Sequence, residues 1–209
     1  GGTETLDLSR RTTNTGTNTT GTLDLADAAS VTIDVDTIRM GSITTGSGGG
    51  DSRGVWNFSN MSNTVSADTI LMGDSPAAGN TDVTSTVLLG SGANNVNVDT
   101  WTVGGRKSQG EVTINPGGTL TLSGNDNARA DLFIGRNNAN TGTNAMGNMD
   151  LSGGTFNASI DQLTIGTHDE GAGSAQGTLT FGAGTVNVNN AILGEASAGS
   201  VDGSSNPQN

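Results

Sequence analysis

A short block, DTIRMG at residues 36–41, returns along the chain as DTILMG, DTWTVG, DLFIG, DQLTIG and NAILG. Each copy closes on an anchor residue: Ser9, Gly41, Gly73, Gly104, Gly135, Gly166 and Gly194. The steps between anchors are 32, 32, 31, 31, 31 and 28 residues. A period this constant marks a stacked repeat architecture, and it restricts the fold more than any other property of the sequence.

Three positions before each anchor stand Leu6, Ile38, Ile70, Trp101, Leu132, Leu163 and Ala191. One position before it stand Leu8, Met40, Met72, Val103, Ile134, Ile165 and Leu193. Both columns are apolar, whereas the residues between them are mixed: Asp7, Arg39, Leu71, Thr102, Phe133, Thr164 and Ile192. One constant apolar face in an alternating pattern is a half-buried strand, the third strand of each repeat.

Two more strands precede it in each copy. The first reads GTLDLAD, GVWNFSN, STVLLGS, GEVTINP, GNMDLSG and GTLTFGA, with inward pairs such as Trp56/Phe58 and Met149/Leu151. The second carries Ile33/Val35, Val65/Ala67, Val96/Val98, Ala158/Ile160 and Val186/Val188. In the fourth copy GTLTLSG is followed by an extra NDNARA, which reads as a bulged-out corner. Polar loops of varied length then join the third strand to the next repeat. Variable insertions at one fixed corner are what a solenoid tolerates, and the anchor glycines supply the positive φ of a sharp corner. No stretch carries helical apolar spacing.

A single three-strand rung buries too little to offset the entropy of fixing its backbone, so rungs must stack in register at about 4.8 Å. The expected fold is all-β: a parallel β-helix of three short strands and about 31 residues per rung. Right-handed winding is the default for parallel crossovers. A sandwich predicts hairpins without a fixed period, and a propeller blade needs four antiparallel strands. The expected organisation is a single domain over 1–194, opening with a half-rung at 3–9. Six rungs follow, ending near 41, 73, 104, 135, 166 and 194, and residues 195–209 form a polar tail.

Composition agrees with a thin-cored polar β-structure: 31% apolar residues, 3% aromatics and 34 glycines. A net charge of −12 disfavours nucleic acid and anionic membrane surfaces. No apolar run approaches a transmembrane helix. The absence of Cys removes disulfides and thiolate metal sites.

The segments GTLTFGAGTVNVNNAILGEASAGS and GNMDLSGGTFNASIDQLTIGTHDEGAGSAQ carry a G-T-L-x-[FL]-x-G-G-T-[VF] unit followed by L-x-[IL]-G. In this the chain resembles the autotransporter-associated β-strand repeats of bacterial surface proteins, over nearly its whole length. The resemblance implies a secreted or surface-exposed solenoid, adhesive or structural, and it brings no catalytic residues with it.

The residues themselves offer little chemistry. His168 is the sole histidine, and in THDEG it reads as part of a solvated loop. Without Cys or a second His, nucleophilic catalysis has almost nothing to use. GSGGGDSRG lacks the ending of a phosphate loop. Outward Asp24 and Asp150 lie four rungs apart, too far for a glycosidase pair. Five before the anchors runs a column of Glu4, Asp36, Asp68, Asp99, Ala130 (with Asp131 beside it), Asp161 and Asn189. Asx-type capping of corner amides is the favoured reading of this column. Ca²⁺ bridging Asp36, Asp68, Asp99 and Asp161 is the alternative.

No catalytic residue or cofactor is expected. Both ends present a third strand without a polar cap, so the expectation is either a segment of a longer solenoid or subunits stacked end to end. The leading functional expectation is a non-enzymatic extracellular or cell-surface structural protein whose partners are identical subunits. An adhesin or carbohydrate-binding segment, with surface glycans as partners, is the alternative. Outward Leu71, Phe133 and Ile192 are candidate lateral contacts.

Overall fold

A computed structural model describes residues 4–12, 16–44, 50–75, 83–138, 144–169 and 173–196. Among these residues thirteen strands form one sheet that winds on itself, and every pairing in it is parallel. The expected β-solenoid is the observed fold. Alternating short side chains and glycine-rich corners leave backbone pairing between coils as the main way to satisfy polar groups.

Three ladders make up the walls. The first joins β2 (Thr19–Asp24), β5 (Ser52–Asn57), β7 (Val83–Leu89), β9 (Ser108–Ile114) and the opening parts of β12 (Ala145–His168) and β13 (Ala175–Ala196). The second joins β3 (Val31–Asp34), β6 (Ser62–Asp74), β8 (Ala93–Val103), β10 (Thr119–Ser123) and the middles of β12 and β13. The third runs from β1 (Thr5–Arg11) through β4 (Thr37–Ile43), the ends of β6 and β8, and β11 (Ala130–Asn137) to the ends of β12 and β13.

The register stacks like upon like. Leu6 pairs Ile38, Ile38 pairs Ile70, Ile70 pairs Trp101, Trp101 pairs Leu132 and Leu132 pairs Leu163. Inside the column these side chains form one continuous core with Trp56, Val87, Val112 and Met149 of the first wall and Val65, Val96 and Leu122 of the second. Trp101 is fully enclosed and its indole N–H donates to Met72 Sδ at 3.4 Å.

The anchor residues all take positive φ, from +57° at Gly41 to +76° at Gly73. Ser9 adopts φ +67° without being glycine. Its hydroxyl lies 2.8 Å from Ser52 Oγ and donates to the Thr19 carbonyl at 3.0 Å, so hydrogen bonds between coils offset the cost of the left-handed conformation. The third strands were expected to stop at the anchors, and here the structure differs. β4 runs to Ile43, β11 to Asn137, β12 to His168 and β13 to Ala196. The glycine is a bend within each strand, because pairing resumes beyond it, as in Arg11 with Ile43 and Asn137 with His168. Glu195 and Ala196, expected in the polar tail, belong to β13. The rest of it, residues 197–209, lies outside the described residues, as do Thr3 of the leading half-rung and the centres of the longer loops.

A second glycine column went unread in the sequence. Gly21, Gly54, Gly110, Gly147 and Gly177 stand third in the first-wall strands and press against the anchors. A Cβ on Gly54 would stand 2.8 Å from the Gly41 nitrogen, and one on Gly177 2.6 Å from the Gly166 nitrogen. Only a residue without a side chain fits where two backbones approach this closely.

Between the first and second walls polar side chains enter the interior. Asn63 and Asn94 are fully buried and stacked one coil apart, with Asn63 Nδ2 donating to Asn94 Oδ1 at 2.9 Å. Each carboxamide also closes its own corner: Asn63 Oδ1 accepts the Ser59 N–H and Asn94 Oδ1 accepts the Gly90 N–H. The extra NDNARA of the fourth coil forms a short 3₁₀ turn at Asn125–Asn127 between β10 and β11, with Asp126 and Asn127 in the left-handed region. It leans back along the column, where Asn125 Nδ2 donates to the Ala67 carbonyl at 3.0 Å.

Candidate functional site

The strands of a coil in mid-column have partners on both edges, whereas among the described residues β13 pairs β12 alone. The outer edge of β13 therefore carries backbone N–H and C=O groups with no strand partner among the described residues, and core-facing side chains on it meet solvent. Phe181 is 43% exposed and Leu193 69%, although Leu151 and Ile134 in equivalent columns are fully buried. Phe181 makes an edge-on contact with Phe156 at 5.8 Å between ring centroids. At the opposite end Leu6, Leu23, Leu25, Ile33 and Val35 pack against the core and are half-buried. β13 is thus the more exposed of the two terminal layers.

The carboxylates of the column five before the anchors act as caps, but not as local Asx turns. Asp36 Oδ2 accepts the N–H of Glu4 in the coil before it, and Asp99 Oδ1 accepts the N–H of Asn125 in the coil after it, both at 3.0 Å. Asp161 accepts from Asn189 Nδ2 at 2.6 Å, and Asp131 from the Gln162 N–H at 3.2 Å. In-register stacking brings the next coil's donors within reach, so the bond crosses between coils instead of closing a turn. Asx turns occur elsewhere, after the first wall, where Asp24 accepts the Ala26 N–H and Asp150 the Ser152 N–H. The Asp150 carboxyl is held below its ordinary pKa by the Ser152 hydroxyl and then by the Ser152 N–H. Among the described residues no cluster of three or more His, Cys, Asp or Glu is placed to hold a metal ion.

Two expectations need correction. His168 is not in a solvated loop: it ends β12, pairs in register with Asn137 and Ala196, and is 6% exposed. Continuation of the strand past Gly166 turns this side chain inward, and its Nε2 is buried without a hydrogen-bond partner. Phe133 is not exposed either. It lies between Thr102 and Thr164 of the flanking coils, under the Arg136 guanidinium 4.4 Å from the ring centroid, and that guanidinium is paired with Asp169 at 2.7 Å. Leu71 and Ile192 are half-buried.

Asp24 and Asp150 stay apart, with Asn57, Leu88 and Thr113 between them in the same outward column. On the short connection GRKSQ, Lys107 is buried in a left-handed conformation, and burial lowers its pKa. No helix is long and apolar enough to cross a membrane among the described residues.

The geometry assembles a wall-and-corner scaffold whose unsatisfied surface lies at the terminal coil. Comparison with protein-family models, with curated proteins and with solved structures found no match to this chain.

Proposed function

We propose that the chain is a non-enzymatic structural element, a β-solenoid whose terminal coil is covered by another solenoid edge, extending the column into a filament or a surface stalk. The observation that carries this reading is the exposed apolar edge of β13. A strand with free N–H and C=O groups and side chains such as Phe181 and Leu193 turned to solvent is a template for further pairing. A parallel edge has no need of a sequence-specific partner: any strand of the same alternating pattern satisfies the ladder and buries the column. A head-to-tail contact of this kind does not close on itself, so it propagates. A secreted or surface-exposed setting is what the repeat resemblance implies for such a column.

Negative-stain electron microscopy over a concentration series tests the proposal. Thin fibres of uniform width that lengthen with concentration are expected. Compact particles of one size at every concentration would overturn self-stacking.

A further inference from the structure

The first wall carries a groove that stacking at the ends leaves unused. It has a volume of about 490 Å³, within the usual range of ligand sites, and extends from β5 through β7, β9 and β12 to β13. Two ranks of outward side chains flank it. In one, Arg53, Thr84, Gln109, Met146 and Gln176 follow each other in register from coil to coil. In the other stand Thr86, Glu111, Asn148 and Thr178. Ser85, Gly110 and Gly147 lie between the ranks, so the floor there is largely bare backbone.

The polar groups of this groove are unspent. Among the described residues no hydrogen bond or ion pair engages the side chains of Arg53, Gln109, Glu111, Asn148 or Gln176. On the second wall the equivalent groups bond to one another: Ser123 Oγ donates to Asn97 Oδ1 at 3.0 Å, and Asn157 Oδ1 accepts the Thr185 N–H at 3.1 Å.

We propose that the groove binds a neutral linear oligosaccharide laid along the solenoid axis. Carboxamides and hydroxyls both donate and accept, as sugar hydroxyls do, and the parallel coils repeat these contacts at about 4.8 Å. One cation, Arg53, and one anion, Glu111, balance within the groove. Met146, 40% exposed, offers an apolar patch to a pyranose face. The net charge of −12 opposes polyanionic chains. Along β5, β7, β9 and β12 an added peptide strand finds no free edge, because each is paired on both sides.

The test is a heteronuclear NMR titration of dilute protein with cellohexaose, xylohexaose, maltohexaose and mannohexaose, and with hexagalacturonate as the anionic probe. At least one neutral hexaose is expected to give saturable shifts confined to the first wall, with Kd in the range of ~0.1–1 mM. The double variant Gln109→Ala/Asn148→Ala, at exposed positions, should weaken binding at least about tenfold, equivalent to ~1.4 kcal/mol. Thr121→Ala/Asn157→Ala on the second wall should leave it within about twofold, a change of ~0.4 kcal/mol. Four outcomes would each overturn the proposal: no saturable shift up to about 10 mM, shifts mapping elsewhere, indifference to the double variant, or tighter binding of hexagalacturonate. None of these outcomes bears on stacking at β13.

Discussion

β12 and β13 are built to one plan, yet they occupy different environments. Met149 pairs with Leu179, Leu151 with Phe181 and Ile165 with Leu193, so apolar side chains stand at matching positions. Met149 and Leu151 are fully buried, while Leu179 is half-buried and Phe181 and Leu193 are exposed. Among the described residues β12 has neighbouring strands on both edges and β13 on one. In a solenoid the alternating pattern determines which way a side chain faces, and the adjacent coil determines whether it is buried. Even Leu163, one coil inward, is 8% exposed where its partner is the small Ala191.

Paired substitutions at the middle and the end of the column sharpen this contrast. The largest effect is expected at the corners. A Cβ on Gly135 would overlap the Gln176 carbonyl oxygen of the next coil, whereas one on Gly194 meets nothing within 4 Å, and both glycines have φ near +67°. Gly135→Ala should cost about 4 kcal/mol or more in urea unfolding. Gly194→Ala should cost only the conformational term of about 1–2 kcal/mol. Equal losses at the two sites would show that φ alone, rather than the neighbouring coil, sets the demand for glycine.

Next in size comes the core. Trp101→Ala, in a side chain enclosed on both edges, should lose about 3–4 kcal/mol. Leu193→Ala in monomeric protein should lose less than about 1 kcal/mol, because the side chain has little burial to give up. Denaturation midpoints measured side by side decide between this gradient and a uniform column.

Asn94→Ala should cost about 2 kcal/mol by stranding the Gly90 N–H and several carbonyls. Circular dichroism at the melting transition would register it, and a neutral substitution would mean that water replaces the carboxamide.

The smallest effect concerns protons. Ser152 holds the Asp150 carboxyl below its ordinary value of 3.8, so the folded pKa is the lower one. The associated stability is present above the unfolded pKa and is lost as pH falls through the folded value. Asp150→Asn should lower stability slightly at pH 7 and flatten that part of the acid limb, so that the two proteins converge below the folded pKa. A steeper acid limb in the variant would reverse the assignment.

The walls were legible in the sequence because each rested on a repeated alternation: the Leu6-to-Leu163 and Leu8-to-Ile165 columns could be aligned from their anchors alone. The corners were less so. Gly110 and Gly147 opened their strands in plain view, but the backbone approach that requires them exists only once coils are stacked. Asn63 and Asn94 fell at inward positions two before Val65 and Val96, a signal of buried polar groups that the apolar columns overshadowed. His168 and Phe133 were misplaced for a related reason. Their burial depends on where a strand bends and on which residues of adjacent coils lean over it, and a single repeat does not carry that information. The carboxylate column was read as Asx-type capping of its own corners, whereas the partners of Asp36, Asp99, Asp131 and Asp161 lie in neighbouring coils.

The central claim is that β13 is a joint whose exposure ends when another edge pairs with it. Amide hydrogen exchange, followed by mass spectrometry from dilute to concentrated protein, tests this most directly. Protection of Leu179–Leu193 should rise with concentration towards that of β8, while β6 and β8 stay unchanged. Exchange in β13 that remains fast at every concentration would contradict the claim.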